Sequence, residues 1–83
     1  MATFEQVRDL VGDVLQLGER TTALRPDSAL LGNLPEFDSM AVVNVITALE
    51  SRFGILIEDD DISADTFDTM GTLAAFVQAK LDA

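Results

Sequence analysis

The sequence predicts an all-α fold: a small four-helix bundle with three main helices, one short helix and a long loop between helices one and two. Two observations predict it. In three separate segments, apolar residues recur three and four positions apart, which is the spacing of a helix with one buried face. Turn-forming residues are concentrated between these segments. With 83 residues, 48% of them apolar, the chain suffices for a single domain over residues 1–83.

The first helix is expected to begin at Thr3, which can cap a helix, and to stop at Gly18. Its buried stripe consists of Phe4, Val7, Val11, Val14 and Leu15. The following connection is rich in turn formers: Thr21, Thr22, Pro26, Asp27, Ser28, Gly32, Asn33 and Pro35. Because leucines lie between them, we expect this loop to fold back across the bundle, with a short helical turn near Leu30.

The second helix is predicted from Ser39 to Phe53, with Gly54 in the left-handed capping position. The pattern places one set of apolar residues on its buried side: Val42, Val43, Val45, Ile46, Leu49 and Phe53. The opposite arc carries no charge and consists of Met40, Ala41, Asn44, Thr47, Ala48 and Ser51. An exposed helix face usually carries charged residues, so this arc is predicted to be a partner interface. An ordinary, weakly polar surface is an equally good interpretation.

An acidic run, residues 58–61, precedes a short helix that is expected to end near Phe67. A final helix should run from Thr69 to Leu81, capped by Asp68 or Thr69. Its predicted buried stripe is Met70, Leu73, Ala74, Val77 and Leu81. The acidic run lacks the alternating ligands, central glycine and distal glutamate of a calcium loop, so no dedicated metal site is predicted. A calcium-binding domain would require tight binding that depends on Asp59 to Asp61.

Composition excludes several functional classes. The chain has five basic against fifteen acidic side chains, a net charge of -10, which argues against binding to nucleic acids or anionic membranes. It contains neither cysteine nor histidine, so thiolate metal ligands and the usual general base of hydrolases are missing. No apolar stretch has the length of a membrane span. We therefore expect a cytoplasmic monomer without catalytic residues of its own.

Ser39 is the strongest candidate functional residue. It opens the second helix next to Asp38, so its hydroxyl is expected at a helix N-terminus. Such a terminus favours negative charge, and a phosphate esterified to Ser39 would be stabilised there. The alternative is that Asp38 or Ser39 only caps the helix, in a small acidic protein–protein interaction module with no prosthetic group.

The helix order and three segments together carry a resemblance to a known family. The segments are Asp38-Ser39-Met40, the helix end Ala48-Leu49-Glu50-Ser51-Arg52-Phe53-Gly54, and the opening Thr69-Met70-Gly71-Thr72-Leu73. In this arrangement, which covers essentially the whole chain, the sequence resembles the acyl carrier proteins and related phosphopantetheine-binding carrier domains.

The resemblance implies that Ser39 carries a 4′-phosphopantetheine arm derived from coenzyme A, with Asp38 beside it. The arm would hold acyl intermediates as thioesters and deliver them to enzymes of lipid, polyketide or other secondary biosynthesis. A phosphopantetheinyl transferase and acyl-loading and acyl-transferring enzymes are the implied partners. Met40, Val43 and Ile46 are the expected acyl-chain contacts, because they lie just past the attachment point.

The sequence departs from the family pattern at three places. Leu34-Pro35-Glu36-Phe37 precedes Asp38, where the family usually has a glycine, and Met40 replaces the usual leucine. Ala41, Asn44 and Ser51 stand where fatty-acid carriers commonly have acids. These departures predict a specialised, stand-alone bacterial carrier whose partners read a less charged second helix. The run from Leu34 to Met40 is similar to that of carriers associated with bacterial exopolysaccharide or exosortase systems.

Overall fold

Three α-helices and three short 3₁₀ turns make up the part of the chain that the computed structural model describes, residues 2–30 and 38–82. The α-helices are α1 (Ala2–Leu15), α2 (Ser39–Phe53) and α3 (Met70–Asp82). The 3₁₀ turns are Gly18–Ala23, Asp59–Asp61 and Ala64–Phe67. No helix in these ranges is long and apolar enough to cross a membrane. The predicted all-helical fold is confirmed, and the last two 3₁₀ turns take the place of the single short helix.

The core forms where α1 packs against both α2 and α3. Side chains from all three helices are completely buried there, and they are Val7, Val11, Val45, Leu49, Met70, Leu73 and Val77. Leu30, from the connection after α1, is completely buried as well. The predicted stripes of α1 and α3 therefore face the core, except that Leu81 is exposed at the end of α3. The buried stripe of α3 therefore ends at Val77, one turn earlier than expected.

Both ends of α1 differ from the prediction. Thr3 lies inside the helix instead of capping it, and its hydroxyl donates to Oε1 of Gln78 on α3. The helix ends at Leu15, since Gln16 adopts a left-handed conformation with φ 55°. The Leu17 N–H then donates to the Gly12 carbonyl at 2.9 Å, and the Leu17 side chain folds under the helix into the core. The left-handed Gln16 and the buried Leu17 together end the helix before Gly18.

The connection after α1 pairs with the start of α3 through its backbone. The Leu30 N–H donates to the Asp68 carbonyl at 3.0 Å. In return, the Met70 N–H donates to the Ser28 carbonyl at 2.9 Å and the Gly71 N–H to the Pro26 carbonyl at 2.8 Å. These bonds satisfy amides of the first turn of α3 that have no acceptor within their own helix. The loop therefore packs across the bundle, as expected.

The helical turn expected near Leu30 is absent at residues 28–30, and the residues that follow Leu30 lie outside the described part of the chain. Residues 29 and 30 are extended, with an isolated antiparallel bridge between Ala29 and Thr69, and the turn forms earlier, at Gly18–Ala23. Pairing with α3 requires an extended backbone at this point, so a helical turn is excluded at Leu30. The remainder of the predicted loop, including Gly32, Asn33 and the segment Leu34-Pro35-Glu36-Phe37, lies outside the described residues.

Local capping signals set the boundaries of α2 and α3. Helix α2 spans the predicted residues and is capped at its C-terminus by Gly54. The φ of Gly54 is left-handed, at 65°, and its N–H donates to the Glu50 carbonyl. Thr69, rather than Asp68, caps α3, because its hydroxyl accepts from the Thr72 N–H at 3.1 Å. The Thr72 hydroxyl in turn accepts from the Thr69 N–H at 3.0 Å, which fixes the helix start from both directions.

Substitution of Gly71 tests the pairing between the loop and α3. A methyl group at this position would lie 2.7 Å from the Pro26 carbonyl oxygen. Gly→Ala normally stabilises a helix by about 1 kcal/mol. Here we expect Gly71→Ala to lower the free energy of unfolding by about 1–3 kcal/mol, because the backbone of the loop must move. Chemical denaturation of the variant and the parent protein measures the difference, and a more stable variant would contradict the close approach.

Candidate attachment site

Asp38 is the N-cap of α2. Its backbone is extended, with φ -98° and ψ -173°, and its Oδ1 accepts a hydrogen bond from the Ala41 N–H at 2.9 Å. The Asp38 carbonyl accepts from the Val42 N–H at 3.0 Å, which closes the first turn of the helix. The cap explains why the helix begins where it does. It also holds the Asp38 carboxylate beside the first helical residue.

Ser39 is that first residue, and it is exposed to solvent. No acidic residue lies within the first turn of α2. Among the described residues, the N–H groups of Ser39 and Met40 have no acceptor, as expected for the first turn of a helix. The N-terminus of α3, in contrast, is used internally by the loop and by Thr69. An anion attached to Ser39 would therefore meet the electropositive end of α2.

The sides of α2 are arranged differently from the prediction at two positions. Ala41, predicted on the exposed arc, is 6% exposed and packs in the core with Val45 and Leu49 at four-residue spacing. Val43, predicted on the buried side, is 56% exposed. Periodicity does not distinguish the adjacent Val42 and Val43, and only Val42 of the two packs against the core.

The remaining predicted site residues fall into two groups. Asn44, Thr47 and Ser51 are exposed, and Met40 is exposed to 68%. Ala48 and Ile46 are half-buried and pack partly against the core. At about 100° per residue, Ile46 lies near the side of α2 that carries Ser39, as does Val43. Met40 lies on the adjoining, outward side.

Comparisons with known proteins agree with this geometry. A family described as "Phosphopantetheine attachment site" matches residues 5–78. The acyl carrier protein of Clostridium acetobutylicum is 32% identical over 79 residues, covering 95% of this chain and 96% of that protein. The acyl carrier protein of Helicobacter hepaticus is 34% identical over 80 residues, covering 96% of this chain and 99% of that protein. The solution NMR structure of a holo acyl carrier protein from Nitrosomonas europaea superposes with a TM-score of 0.92, at 59% identity and complete coverage of both chains.

The chain belongs to the acyl carrier protein family. Acyl carrier proteins are carriers, not catalysts, and the prosthetic group of this chain is a covalently attached phosphopantetheine. The predicted family, cofactor and non-enzymatic role are therefore confirmed. The residues around Ser39 fit the group. Ser39 is exposed at the N-terminus of α2, and the N–H groups of Ser39 and Met40 have no acceptor among the described residues.

The sequence did not indicate one contact of this carrier, between Glu50 and Ile57. Glu50 is the one acid of α2, and its Oε2 accepts a hydrogen bond from the Ile57 N–H at 2.9 Å. The bond joins the helix to the segment that follows Gly54, where Ile57 is buried and Leu56 is 70% exposed. The left-handed glycine is the local signal that the chain reverses here, but the partner of Glu50 depends on the path after it.

The acidic run is held to α3 by an ion pair. Asp61 accepts hydrogen bonds from the Lys80 ammonium and from the Glu58 N–H, and Lys80 also lies over the Phe76 ring. Lys80, and to a lesser extent the Glu58 N–H, hold the pKa of Asp61 below its ordinary value of 3.8. Within the described ranges, no three acidic side chains are grouped so that they could hold a metal ion.

Two substitutions of Asp38 test its capping role. Asp38→Ala should lower the free energy of unfolding by about 1 kcal/mol, because the Ala41 N–H loses its acceptor. Asp38→Asn keeps an oxygen in the same place and should retain most of the stability. Thermal denaturation of both variants measures this, and equal losses for Asn and Ala would show that the carboxylate acts other than by capping.

The ion pair predicts a dependence of stability on pH. A carboxyl whose pKa is lowered in the folded state stabilises that state above its unfolded pKa, and this contribution is lost as the pH falls through the folded value. Asp61→Asn should therefore lower the melting temperature at pH 7, and its deficit should disappear as the pH falls below 3.8. Asp60→Asn is the matched control, because the exposed Asp60 lies next to it. An equal loss in both variants would refute a specific contribution of the pair.

Proposed function

We propose that Ser39 is the residue to which 4′-phosphopantetheine is attached, and that the protein carries acyl groups on this arm. One observation carries the proposal: Ser39, the first residue of α2 and the residue immediately after the Asp38 cap, is exposed to solvent. When bound, the group supplies a terminal thiol that holds acyl groups as thioesters. The chain needs no nucleophile of its own, consistent with its lack of cysteine and histidine.

The attachment step needs an enzyme as partner. A bond forms between Ser39 Oγ and a phosphorus of coenzyme A, the pyrophosphate bond breaks, and the nucleotide portion leaves as the hydroxyl loses its proton. The base that takes this proton is proposed to come from a phosphopantetheinyl transferase, since the chain contains no histidine and the Asp38 carboxylate caps the helix. What the chain contributes is position. Asp38 fixes the first turn, and the exposed Ser39 can enter the active site of the transferase.

Acyl-chain contacts are proposed on the side of α2 that carries Ser39. Val43 and Ile46 follow Ser39 by four and seven residues, so they lie near the same side of the helix. Val43 offers exposed apolar surface, and Ile46 packs partly against the core. Met40 lies about 100° further around the axis of α2, so it contacts an acyl chain only close to the attachment point.

The partner interface is proposed on the outward side of α2. The exposed residues Met40, Asn44, Thr47 and Ser51 support this surface, and Ala48 borders it. The buried Ala41 is left out, because a docking enzyme could not reach its side chain. Acyl-loading and acyl-transferring enzymes are the proposed partners, in addition to the transferase.

The pathway is proposed to be a specialised one in lipid, polyketide or other secondary biosynthesis, served by a monomeric, cytoplasmic carrier in which residues 1–83 form one carrier domain. The lack of acids at Asn44 and Ser51 supports this over ordinary fatty-acid synthesis, whose carriers the resemblance associates with acids at such positions. Exopolysaccharide or exosortase systems are the specific context that the resemblance of residues 34–40 favours.

Intact-mass spectrometry tests the attachment site. Incubation with coenzyme A and a broad-specificity phosphopantetheinyl transferase should add one phosphopantetheine unit to the parent protein and none to Ser39→Ala. Ser63→Ala is the matched control, because Ser63 is an exposed serine outside the proposed interface and its variant should be modified like the parent. An unmodified parent beside a carrier that the same enzyme does modify would indicate the alternative, an interaction module without a prosthetic group.

A further inference from the structure

Lys80 is the one side chain of this protein that is suited to attack a thioester. Thiolates, imidazoles and neutral amines are the side-chain groups that do so readily, and the sequence contains no cysteine, no histidine and a single lysine. The other basic residues are arginines, whose guanidinium groups stay protonated, and they are Arg8, Arg20, Arg25 and Arg52. A chain that carries acyl thioesters therefore has one side-chain amine at which its cargo would be lost.

The Lys80 ammonium lies between a carboxylate and an aromatic ring. Its Nζ donates to Oδ2 of Asp61 at 2.5 Å and lies 6.0 Å from the centroid of the Phe76 ring. Both contacts favour the charged form of the amine, because one is a charge-assisted hydrogen bond and the other a cation–π contact. An ammonium must lose a proton before its nitrogen can attack a carbonyl carbon. The two contacts therefore oppose the first step of acylation.

The carboxylate of this pair is itself fixed by the backbone. Asp61 ends the 3₁₀ turn Asp59–Asp61, its N–H donates to the Glu58 carbonyl at 2.9 Å, and its Oδ2 accepts from the Glu58 N–H at 3.0 Å. A carboxylate that is already anchored loses little freedom when it pairs with Lys80. The Lys80 side chain is 25% exposed and that of Asp61 30%, so solvent screens the pair less than it would a fully exposed one.

We infer that Asp61 and Phe76 protect the only lysine of this carrier from acylation by the thioesters that the protein carries. In the reaction that they suppress, the Lys80 ammonium gives one proton to water, and its neutral nitrogen forms an amide bond with the acyl carbon. The carbon–sulfur bond breaks, and the second proton of the nitrogen passes to the departing sulfur. The cargo is then held as an amide, which is far less reactive than a thioester. The inference rests on the proposed function and adds a protective role for the ion pair.

Acetylation by a small thioester, S-acetyl-N-acetylcysteamine, tests the protection on protein that lacks the arm. Hydroxylamine then cleaves thioesters and leaves amides, so the remaining mass gain measures acetylated amine and peptide mapping locates it. Asp61→Asn keeps the shape of the side chain but removes its charge, and should raise the rate at Lys80 at least about threefold. Asp60→Asn is the matched control, because it removes the same charge from the exposed neighbour and should leave the rate unchanged.

A reference amine in the same molecule gives a second measurement that leaves the ion pair intact. Arg25→Lys places an amine on the exposed connection after α1, and this amine should be acetylated at least about threefold faster than Lys80. Equal rates at the two positions would overturn the inference, as would an Asp61→Asn variant that reacts no faster than the parent. Circular dichroism at the assay temperature verifies that each variant is folded.

The holo protein, loaded with an acetyl group, extends the test to the cargo itself. Hydroxylamine should remove all acetyl mass from the parent, whereas Asp61→Asn should accumulate a resistant fraction at Lys80. Absence of that fraction would contradict protection against the carried thioester. Failure of the proposed attachment is a different outcome, because the parent would then gain no arm, while the reaction with the small thioester would still report on Lys80.

Discussion

The backbone pairing between residues 26–30 and the start of α3 is the constraint on which the rest of the bundle depends. A long connection is costly to order, and this one is held by three backbone hydrogen bonds and the complete burial of Leu30. Two of these bonds supply acceptors for the first amides of α3, so the loop and the helix stabilise each other. Gly71 makes the approach possible, because only a hydrogen atom fits against the Pro26 carbonyl.

This pairing also distinguishes the two helix N-termini. The amides at the start of α3 are bonded by the loop and by Thr69, whereas α2 uses the Asp38 side chain for Ala41 and leaves its first residues facing solvent. A helix N-terminus attracts an anion only where its amides are accessible. The contrast explains in physical terms why Ser39 is suited to bear a phosphodiester, and why Thr69 and Thr72 are occupied with capping.

The parts of the fold that depend on nearby residues could be predicted from the sequence. Asp38 and Gly54 set the boundaries of α2 by local capping, and the same local pattern is what made Ser39 the candidate attachment residue. Periodicity could not decide between adjacent apolar residues, so Val43 and Ala41 were placed on the wrong sides of α2. Contacts between distant residues, such as Lys80 with Asp61 and the loop with α3, have no local signal, because they depend on how the whole chain packs.

The separation of roles within α2 has an evolutionary consequence. Ala41, Val45 and Leu49 build the core, whereas Asn44, Thr47 and Ser51 are exposed and make little contribution to it. Mutations at exposed positions usually change stability by less than about 0.5 kcal/mol. A gene duplicate could therefore acquire acids on this helix and drift toward other enzymes while its fold remained intact. Such freedom would let one scaffold diversify into carriers that coexist in a cell without exchanging cargo.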